Sequence, residues 1–154
     1  MAPNGYANPN VLVETDYVAS HVGDPTLRLV EVDVDTAAYD SGHIPGAVGW
    51  NWTTDLQRHP VRDIPNAGEW AALLARSGIA PNTTVILYGD NNNWFAAFAY
   101  WLFKLYDHDH VRLMNGGRKK WLDEGRELTT DMPTHPTATY PARPMNAGLR
   151  ALRE

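Results

Sequence analysis

The chain has no cysteine among its 154 residues. This absence excludes disulfide bonds, thiolate metal sites and cysteine nucleophiles within the chain. No apolar run reaches the ~18 residues that a membrane-spanning helix needs, and the N-terminus lacks the basic and apolar regions of a signal peptide. We therefore expect a cytoplasmic protein with no membrane partner. The glycine patterns of nucleotide sites and the Gly-x-Ser-x-Gly pattern of serine hydrolases are also missing.

Positive charge is scarce as well. Lys and Arg number 13 against 18 Asp and Glu, which gives a net charge of −5. An acidic balance argues against nucleic acid as the main partner. Hydrophobic residues make up 44% of the chain, close to the globular average, so the chain can bury a core of its own. Its length fits one domain.

The most informative stretch runs from residue 85 to residue 106. Val85–Gly89 is short, apolar and β-branched at its start, which predicts a buried strand. Trp94–Tyr106 is apolar on every side of a helical wheel and carries one charge, Lys104, so we expect a helix buried all round. The polar loop between them is Asp90-Asn91-Asn92-Asn93. Ligands bind at the carboxyl ends of parallel strands, yet this loop contains no nucleophile.

Strand-like and helix-like segments alternate along the whole chain. The patterns predict strands at 11–13, 27–34, 47–52, 82–89 and 111–114. They predict helices at 16–22, 35–39, 66–77, 94–106 and 118–124, with Thr15 as the cap of the first and Asn66 as the cap of the third. Residues 53–65 are predicted to form a loop. Such alternation is typical of a parallel sheet with right-handed crossovers. The expected fold class is α/β, a three-layer α/β/α domain with a mainly parallel five-stranded sheet.

Two further motifs carry glycine-rich turns. The first is Tyr39-x-x-x-His43-Ile44-Pro45-Gly46-Ala47, in which Pro45 fixes φ and Gly46 permits a tight turn. We favour a structural role for His43, bonded to the backbone of the turn, over a catalytic one. The second motif is Asn115-Gly116-Gly117 followed by Arg118-Lys119-Lys120-Trp121. Its basic run indicates solvated helix positions or, less favoured, a patch that faces an anion or a partner.

Together these motifs resemble the rhodanese family. The first is similar to the family's His-Ile-Pro-Gly-Ala signature, and the second to its strand, Gly-Gly turn and Trp-bearing helix. The run from Leu87 to Ala97 most resembles the cysteine-less N-terminal domain of a tandem-domain bacterial thiosulfate sulfurtransferase. The resemblance implies a rhodanese-like domain at 11–128, preceded by a flexible arm at 1–10. A Pro-rich linker with the truncated start of a second domain would follow at 129–154.

The resemblance also implies roles for individual residues. Asp90 stands where the family has its catalytic Cys, so no residue here is catalytic and the chain alone is expected to be inactive. The degenerate active-site loop would comprise Asp90 to Asn93, Trp94 and Phe95, and the structural motifs would comprise His43, Pro45, Gly46, Gly116, Gly117 and Trp121. The intact protein would transfer sulfane sulfur from thiosulfate to cyanide or a thiol. Its partner would be the C-terminal catalytic domain of the same polypeptide, with no metal or organic cofactor, and exposed tryptophans would form the interface.

Several alternatives remain open at this stage. The chain could be a stand-alone cysteine-less binding or regulatory module, or an enzyme that uses the carboxylate of Asp90. For Asp90 itself we favour a helix cap or a built-in anion among the loop amides over catalysis. His108-Asp109-His110 could supply metal ligands, but a surface loop is favoured because no third ligand is in sight.

Overall fold

A computed structural model describes residues 6–152 of the chain. Five strands form one sheet in the order β1-β5-β4-β2-β3. They are β1 Leu12–Val13, β2 Leu27–Asp33, β3 Val48–Asn51, β4 Thr84–Tyr88 and β5 Val111–Met114. Every neighbouring pair is parallel. The predicted α/β class is confirmed, and the sheet is wholly rather than mainly parallel.

Six α-helices accompany the strands. They are α1 Thr15–His21, α2 Ala37–Ser41, α3 Trp52–Asp55, α4 Ala67–Arg76, α5 Trp94–Leu105 and α6 Gly117–Asp123. Two hydrophobic clusters lie on opposite faces of the sheet. One joins Val30 and Val32 of β2 to α4 and α5, and the other joins Leu29 and Ile86 to residues of α1, α2 and α6. Helices therefore cover both faces.

The central strand β4 shows why the sheet is buried on both sides. Its side chains alternate, with Val85 and Leu87 in one cluster and Ile86 and Tyr88 in the other. All four are fully buried, which is the pattern of a strand covered by helices on both faces. The loop that follows Tyr88 thus leaves the middle of the sheet at its carboxyl edge.

Two predicted element boundaries need correction. Thr15 is the first residue of α1 and not its cap, and its hydroxyl donates to the Glu124 carboxylate at 2.6 Å. The predicted loop 53–65 begins as helix α3, because the Asn51 side chain accepts hydrogen bonds from the Thr53 and Thr54 amides. By contrast, Asn66 caps α4 as predicted, accepting from the Glu69 amide at 2.9 Å.

Helix α5 is not buried on all sides. Its inner face, which includes Ala99 and Phe103, is fully buried. Its outer face carries aromatic side chains that are only partly covered, and Trp94 is 74% exposed. An apolar sequence indicates what a helix face can bury, but it does not determine whether anything in the same chain covers that face.

From residue 129 to residue 152, the last one described, the chain runs along the domain without strands or α-helices. His43 and Thr129 exchange two backbone hydrogen bonds, and the Ala138 amide donates to the Ala75 carbonyl. Residues 1–5 of the expected arm and residues 153–154 of the expected second-domain start lie outside the described residues. None of the helices between residues 6 and 152 combines the length and apolarity needed to cross a membrane.

Candidate functional site

The loop after β4 has an unusual backbone. Asn91, Asn92 and Asn93 have φ angles of 49°, 57° and 64°, so three consecutive residues lie in the left-handed region. Asparagine tolerates that region better than most residues with a side chain, because its amide bonds locally. The run of asparagines therefore has a conformational reason independent of any chemistry.

Asn93 fixes the end of this loop to the sheet. Its side-chain Oδ1 accepts a hydrogen bond from the Gly89 amide at 3.0 Å, and its Nδ2 donates to the Met114 carbonyl at 2.7 Å. One amide side chain thus bridges the ends of β4 and β5. The loop is therefore fixed by these hydrogen bonds to the ends of two strands as well as by its own turn.

The Gly116-Gly117 turn forms the side wall of the same loop. A Cβ on Gly117 would lie 2.5 Å from Asn93 Oδ1 and 2.9 Å from the Gly89 carbonyl oxygen. The amide of Arg118 donates to that carbonyl at 2.9 Å. Two motifs that are separate in the sequence therefore make one structural unit, and glycine is required where they meet.

The carboxylate of Asp90 is not a helix cap. Its side chain accepts one hydrogen bond, from Asn91 Nδ2 at 3.2 Å, and none from a backbone amide. The favoured prediction of a cap or built-in anion among the loop amides is therefore wrong. The left-handed path of the asparagines separates Asp90 from the start of α5, so no helix amide is available to it.

A second carboxylate, Asp33, lies directly under Asp90. Its Oδ1 accepts a hydrogen bond from the Asp90 amide at 2.9 Å, while its Oδ2 has no hydrogen-bond partner among the described residues. Asp33 is 2% exposed. Burial, with the neighbouring Glu31, raises the pKa of Asp33 to about 7, and burial, with Asp33, raises the pKa of Asp90 to about 6. Both carboxyl groups thus bind a proton more firmly than an ordinary aspartate does.

Beside these two acids lies a buried ion pair. Arg118 Nη1 contacts both carboxylate oxygens of Glu31 at 2.9 and 3.1 Å, and Glu31 is fully buried. Arg118 was predicted to be solvated and is not, since it is 8% exposed. Lys119 and Lys120 form surface ion pairs with Asp123 and Glu14. Each of the three basic residues is thus paired with a different acid.

The sequence did contain a signal for this acidic cluster. Glu31 and Asp33 occur two residues apart in strand β2, which is apolar apart from these two and Arg28, so they share one face of the sheet. That face meets α6 and the Asp90 loop. Charged residues on a buried strand need partners, although the sequence does not indicate which residue supplies them.

His43 is bound entirely within its own motif and the C-terminal segment. It is 1% exposed, and its ring nitrogens lie 3.0 Å from the Tyr39 carbonyl and 2.8 Å from the Asp131 carbonyl. Its ring stacks on that of Tyr39 at 3.8 Å. Trp121 is buried, and its indole donates to the Glu127 carbonyl. These contacts are structural and do not reach the Asp90 carboxylate.

His108 does not lie in a surface loop. It is 1% exposed, with Nδ1 2.8 Å from the Tyr140 hydroxyl and Nε2 2.9 Å from the Thr83 carbonyl. Both ring nitrogens are occupied, and burial lowers the pKa of His108. Among residues 6–152, no three His, Cys, Asp or Glu side chains are grouped so that they could hold a metal ion.

Next to the loop, five aromatic side chains form a continuous row, which we call the aromatic row. Its members are Trp52, Trp94, Phe95, Phe98 and Trp101. Trp101 at one end donates its indole hydrogen to the Leu149 carbonyl at 2.8 Å. The other end is Trp94, the first residue of α5. A cavity of about 700 Å³ lies elsewhere, lined by Arg28, Gly46 and His135, and does not include the loop.

Comparison with known proteins agrees with the fold. The family model for the rhodanese-like domain matches residues 14–124, and the chain belongs to the rhodanese family. It is 51% identical over 150 residues to the "Sulfur carrier protein TtuD" of Thermus thermophilus and 46% identical over 159 residues to a "Putative thiosulfate sulfurtransferase" of Haloferax volcanii. These alignments cover 97% and 100% of this chain but only 53% and 55% of the relatives.

Solved structures show the same fold. The structure of SseA from Escherichia coli, described as a 3-mercaptopyruvate sulfotransferase, matches with a TM-score of 0.76 at 23% identity. That match covers 86% of this chain and 55% of SseA. The structure of YnjE matches with a TM-score of 0.71 at 27% identity and covers 83% of this chain and 32% of that one. The chain thus spans about half the length of the curated relatives it matches.

Proposed function

We propose that this chain is the non-catalytic N-terminal domain of a thiosulfate sulfurtransferase whose catalytic cysteine lies in a second domain of the same polypeptide. The observation that carries the proposal is the content of the loop. Asp90 occupies the position that the family resemblance assigns to the cysteine, and the chain has no thiol elsewhere. A carboxylate lacks the polarisable sulfur that accepts and releases sulfane sulfur.

The charge around the loop supports the same proposal. Thiosulfate is a dianion, and the groups nearest the loop are the carboxyl groups of Asp33 and Asp90. The one buried cation there, Arg118, is already paired with Glu31. An anionic donor would meet repulsion at this loop instead of a positive cradle. Sulfur transfer is accordingly assigned to the other domain, with no metal or organic cofactor.

In this scheme the reaction is a double displacement. The cysteine thiolate of the second domain attacks the outer sulfur of thiosulfate, forms a persulfide and releases sulfite. Cyanide or a thiol then takes that sulfur and regenerates the thiolate. The chain described here packs against the catalytic domain and forms one wall of its cleft.

The aromatic row is the surface that we assign to the second domain. Trp94 is 74% exposed, and a continuous apolar patch of this kind marks an interaction site. The curated relatives are about twice as long as this chain, so a covering domain is available in proteins of this type. Footprinting of the native protein with hydroxyl radicals should show Trp94 protected relative to the 1–154 chain. Val61, which is 78% exposed and outside the row, should be unchanged.

Thiocyanate formation from thiosulfate and cyanide tests the proposal directly. The 1–154 chain should show no turnover above the uncatalysed rate, whereas the native protein should turn over. Turnover by the 1–154 chain would overturn the assignment.

A second candidate is a stand-alone binding module, which the exposed aromatic row also favours. The mass of the native protein distinguishes these two candidate functions. A native protein of about twice this length with a cysteine supports the first candidate. A protein that ends near Glu154 supports the second.

A further inference from the structure

The cavity of about 700 Å³ lies at the edge of the sheet opposite the loop after β4. Every neighbouring pair of strands is parallel, so all the amino ends share one edge. Leu27 begins β2 and Thr83 precedes β4, and both line the cavity. The Pro45-Gly46 turn and residues 135–138 complete its wall. Small-molecule pockets typically measure about 300 to 1,000 Å³, so this cavity has the size of a ligand site.

The cavity contains a cation without a counter-ion. Of the described residues that line it, Arg28 is the one Lys or Arg and Asp24 the one acid. Asp24 accepts hydrogen bonds from the amide and the hydroxyl of Thr26, at 2.8 and 2.7 Å. Arg28 is half-buried and forms no salt bridge between residues 6 and 152. An arginine withdrawn from water normally has an acidic partner. Burial lowers the pKa of Arg28, and no neighbouring acid offsets that effect.

Two neutral groups hold the guanidinium in place. Its Nη1 lies 2.7 and 2.9 Å from the ring nitrogens Nδ1 and Nε2 of His135, and its Nη2 donates to the Gly78 carbonyl at 3.3 Å. His135 Nε2 also lies 2.9 Å from the Gly46 carbonyl, which needs a donor. The proton is therefore on Nε2, and Nδ1 accepts from Arg28. The histidine ring is then neutral and does not balance the charge of Arg28.

These contacts do not use the whole guanidinium. An arginine has five N–H groups, and the contacts with His135 and Gly78 number three. The Nε hydrogen has no partner among the described residues, but that atom is closed to solvent. Nη2 carries a second hydrogen for which residues 6–152 offer no acceptor. A ligand in the cavity would therefore bind at the Nη end of the side chain.

The rest of the wall favours an organic monoanion. Its apolar side chains are Pro25, Leu27, Pro45, Ala80, Pro136 and Ala138. Helices α1 and α4 end at His21 and Arg76, and Gly23 and Gly78, which follow those ends, line the cavity. Helix C-termini carry partial negative charge, which opposes a dianion such as phosphate or thiosulfate. A carboxylate brings one charge and forms charge-assisted hydrogen bonds with a guanidinium.

We propose that this cavity binds a small organic acid, whose carboxylate pairs with the guanidinium of Arg28 and whose apolar body packs between the start of β2 and residues 135–138. The site is independent of the sulfur transfer proposed above, because it does not include the loop after β4. Since residues 135–138 form one wall, a bound acid links the C-terminal segment to the sheet.

The probe for the test is hexanoate, with neutral hexanamide as its matched control and inorganic phosphate as a second control. Backbone NMR of the 1–154 chain follows the amides of Gly46, Gly78 and Ala138 during titration at neutral pH. We expect hexanoate to shift these amides and to bind about tenfold more tightly than hexanamide, because charge-assisted hydrogen bonds are the stronger ones. Equal affinity for hexanamide, equal affinity for phosphate, or no saturable shift with hexanoate would overturn the proposal.

Three variants localise the carboxylate. Arg28→Gln should weaken hexanoate binding about tenfold, and Arg28→Lys, which keeps the charge, should recover part of that loss. Arg112→Gln makes the same charge change on β5, outside the cavity, and should bind like the unaltered chain. Undiminished binding in Arg28→Gln would contradict the proposal. If that variant does not fold, the comparison of hexanoate with hexanamide in the unaltered chain decides.

Hydrogen exchange gives a second readout at the wall formed by residues 135–138. The Ala138 amide donates to the Ala75 carbonyl at 2.9 Å, so its exchange requires this segment to detach. An acid held against the segment binds only the attached state. Exchange at Ala138 should therefore slow roughly tenfold when hexanoate is at about ten times its Kd. Unchanged exchange at saturating hexanoate would show that the acid binds elsewhere and would overturn the proposal.

Discussion

The backbone amide of Asp90 donates to the carboxylate of Asp33 at 2.9 Å. The loop, which under the proposed function stands where an active rhodanese domain holds a thiolate, is thus supported by one acid and carries a second. This arrangement favours a proton or a cation and opposes an anion. The predictions below follow from this relationship and from the turns that hold it.

Asp33 should make the chain less stable as the pH rises. In the folded state its pKa is about 7, whereas an unfolded aspartate has a pKa of about 3.9. Between these values the folded state binds more protons, so raising the pH lowers the free energy of unfolding. Urea unfolding at about pH 5 and about pH 8 should show this loss.

The variant Asp33→Asn isolates that contribution, because it keeps an oxygen for the Asp90 amide. Its stability should depend less on pH than that of the unaltered chain. The comparison also removes the opposing contribution of His108, whose pKa is lowered by burial and which is present in both proteins. The same pH dependence in both proteins would show that Asp33 is ionised throughout.

Removing Arg118 should be strongly destabilising. Arg118→Met leaves Glu31 buried without its partner, which typically costs about 3 to 5 kcal/mol. The double variant Glu31→Gln with Arg118→Met should recover much of that loss. Lys119→Met, which removes the exposed pair with Asp123, should cost less than about 1 kcal/mol. Similar midpoints in urea for the two single variants would contradict the buried pair.

A matched pair of glycines tests the contact between the two motifs. Gly117 and Gly125 have positive φ angles of 62° and 69°. Gly125→Ala meets no atom within 4 Å and should cost only the left-handed strain, about 1 to 2 kcal/mol. Gly117→Ala adds a clash with Asn93 at 2.5 Å and should cost about 1 to 3 kcal/mol more. Thermal unfolding measures the stability of both variants. Equal losses of stability would show that Gly117 does not pack closely against the loop.

Restoring a thiol should not restore the chemistry. In Asp90→Cys the sulfur lies over Asp33, which disfavours the thiolate, so its pKa should exceed the ordinary value of about 8.5. Ultraviolet absorbance of the thiolate during a pH titration measures it. Adding Asp33→Asn should lower the pKa of the new thiol. A thiolate already formed at neutral pH in the single variant would contradict the electrostatic description of the loop.

Local sequence signals predicted most of the fold. Strand β4, its loop and the Asn66 cap follow from short-range patterns of apolar and polar residues. The outer face of α5 did not, because exposure of Trp94 depends on whether another surface covers it. His108 was misplaced for a similar reason, since it is buried by Tyr140, which lies 32 residues away. Burial that depends on distant segments leaves no local pattern.

The location of the candidate site remains a prediction, and the sequence indicated its surroundings only in part. The position of Asp90 and the lack of a thiol were visible in the sequence. The acids next to the loop were also visible, as Glu31 and Asp33 in a mainly apolar strand. Their connection to Arg118 depends on how α6 packs on the sheet, which no spacing rule specifies.

The location of the persulfide in the native protein is the most direct test of the proposed function. After treatment with thiosulfate, mass spectrometry of proteolytic fragments should find the added sulfur on a cysteine outside residues 1–154. Fragments from residues 1–154 should be unmodified. Sulfane sulfur within residues 1–154, or sulfur transfer by a native protein that contains no cysteine, would contradict the proposal.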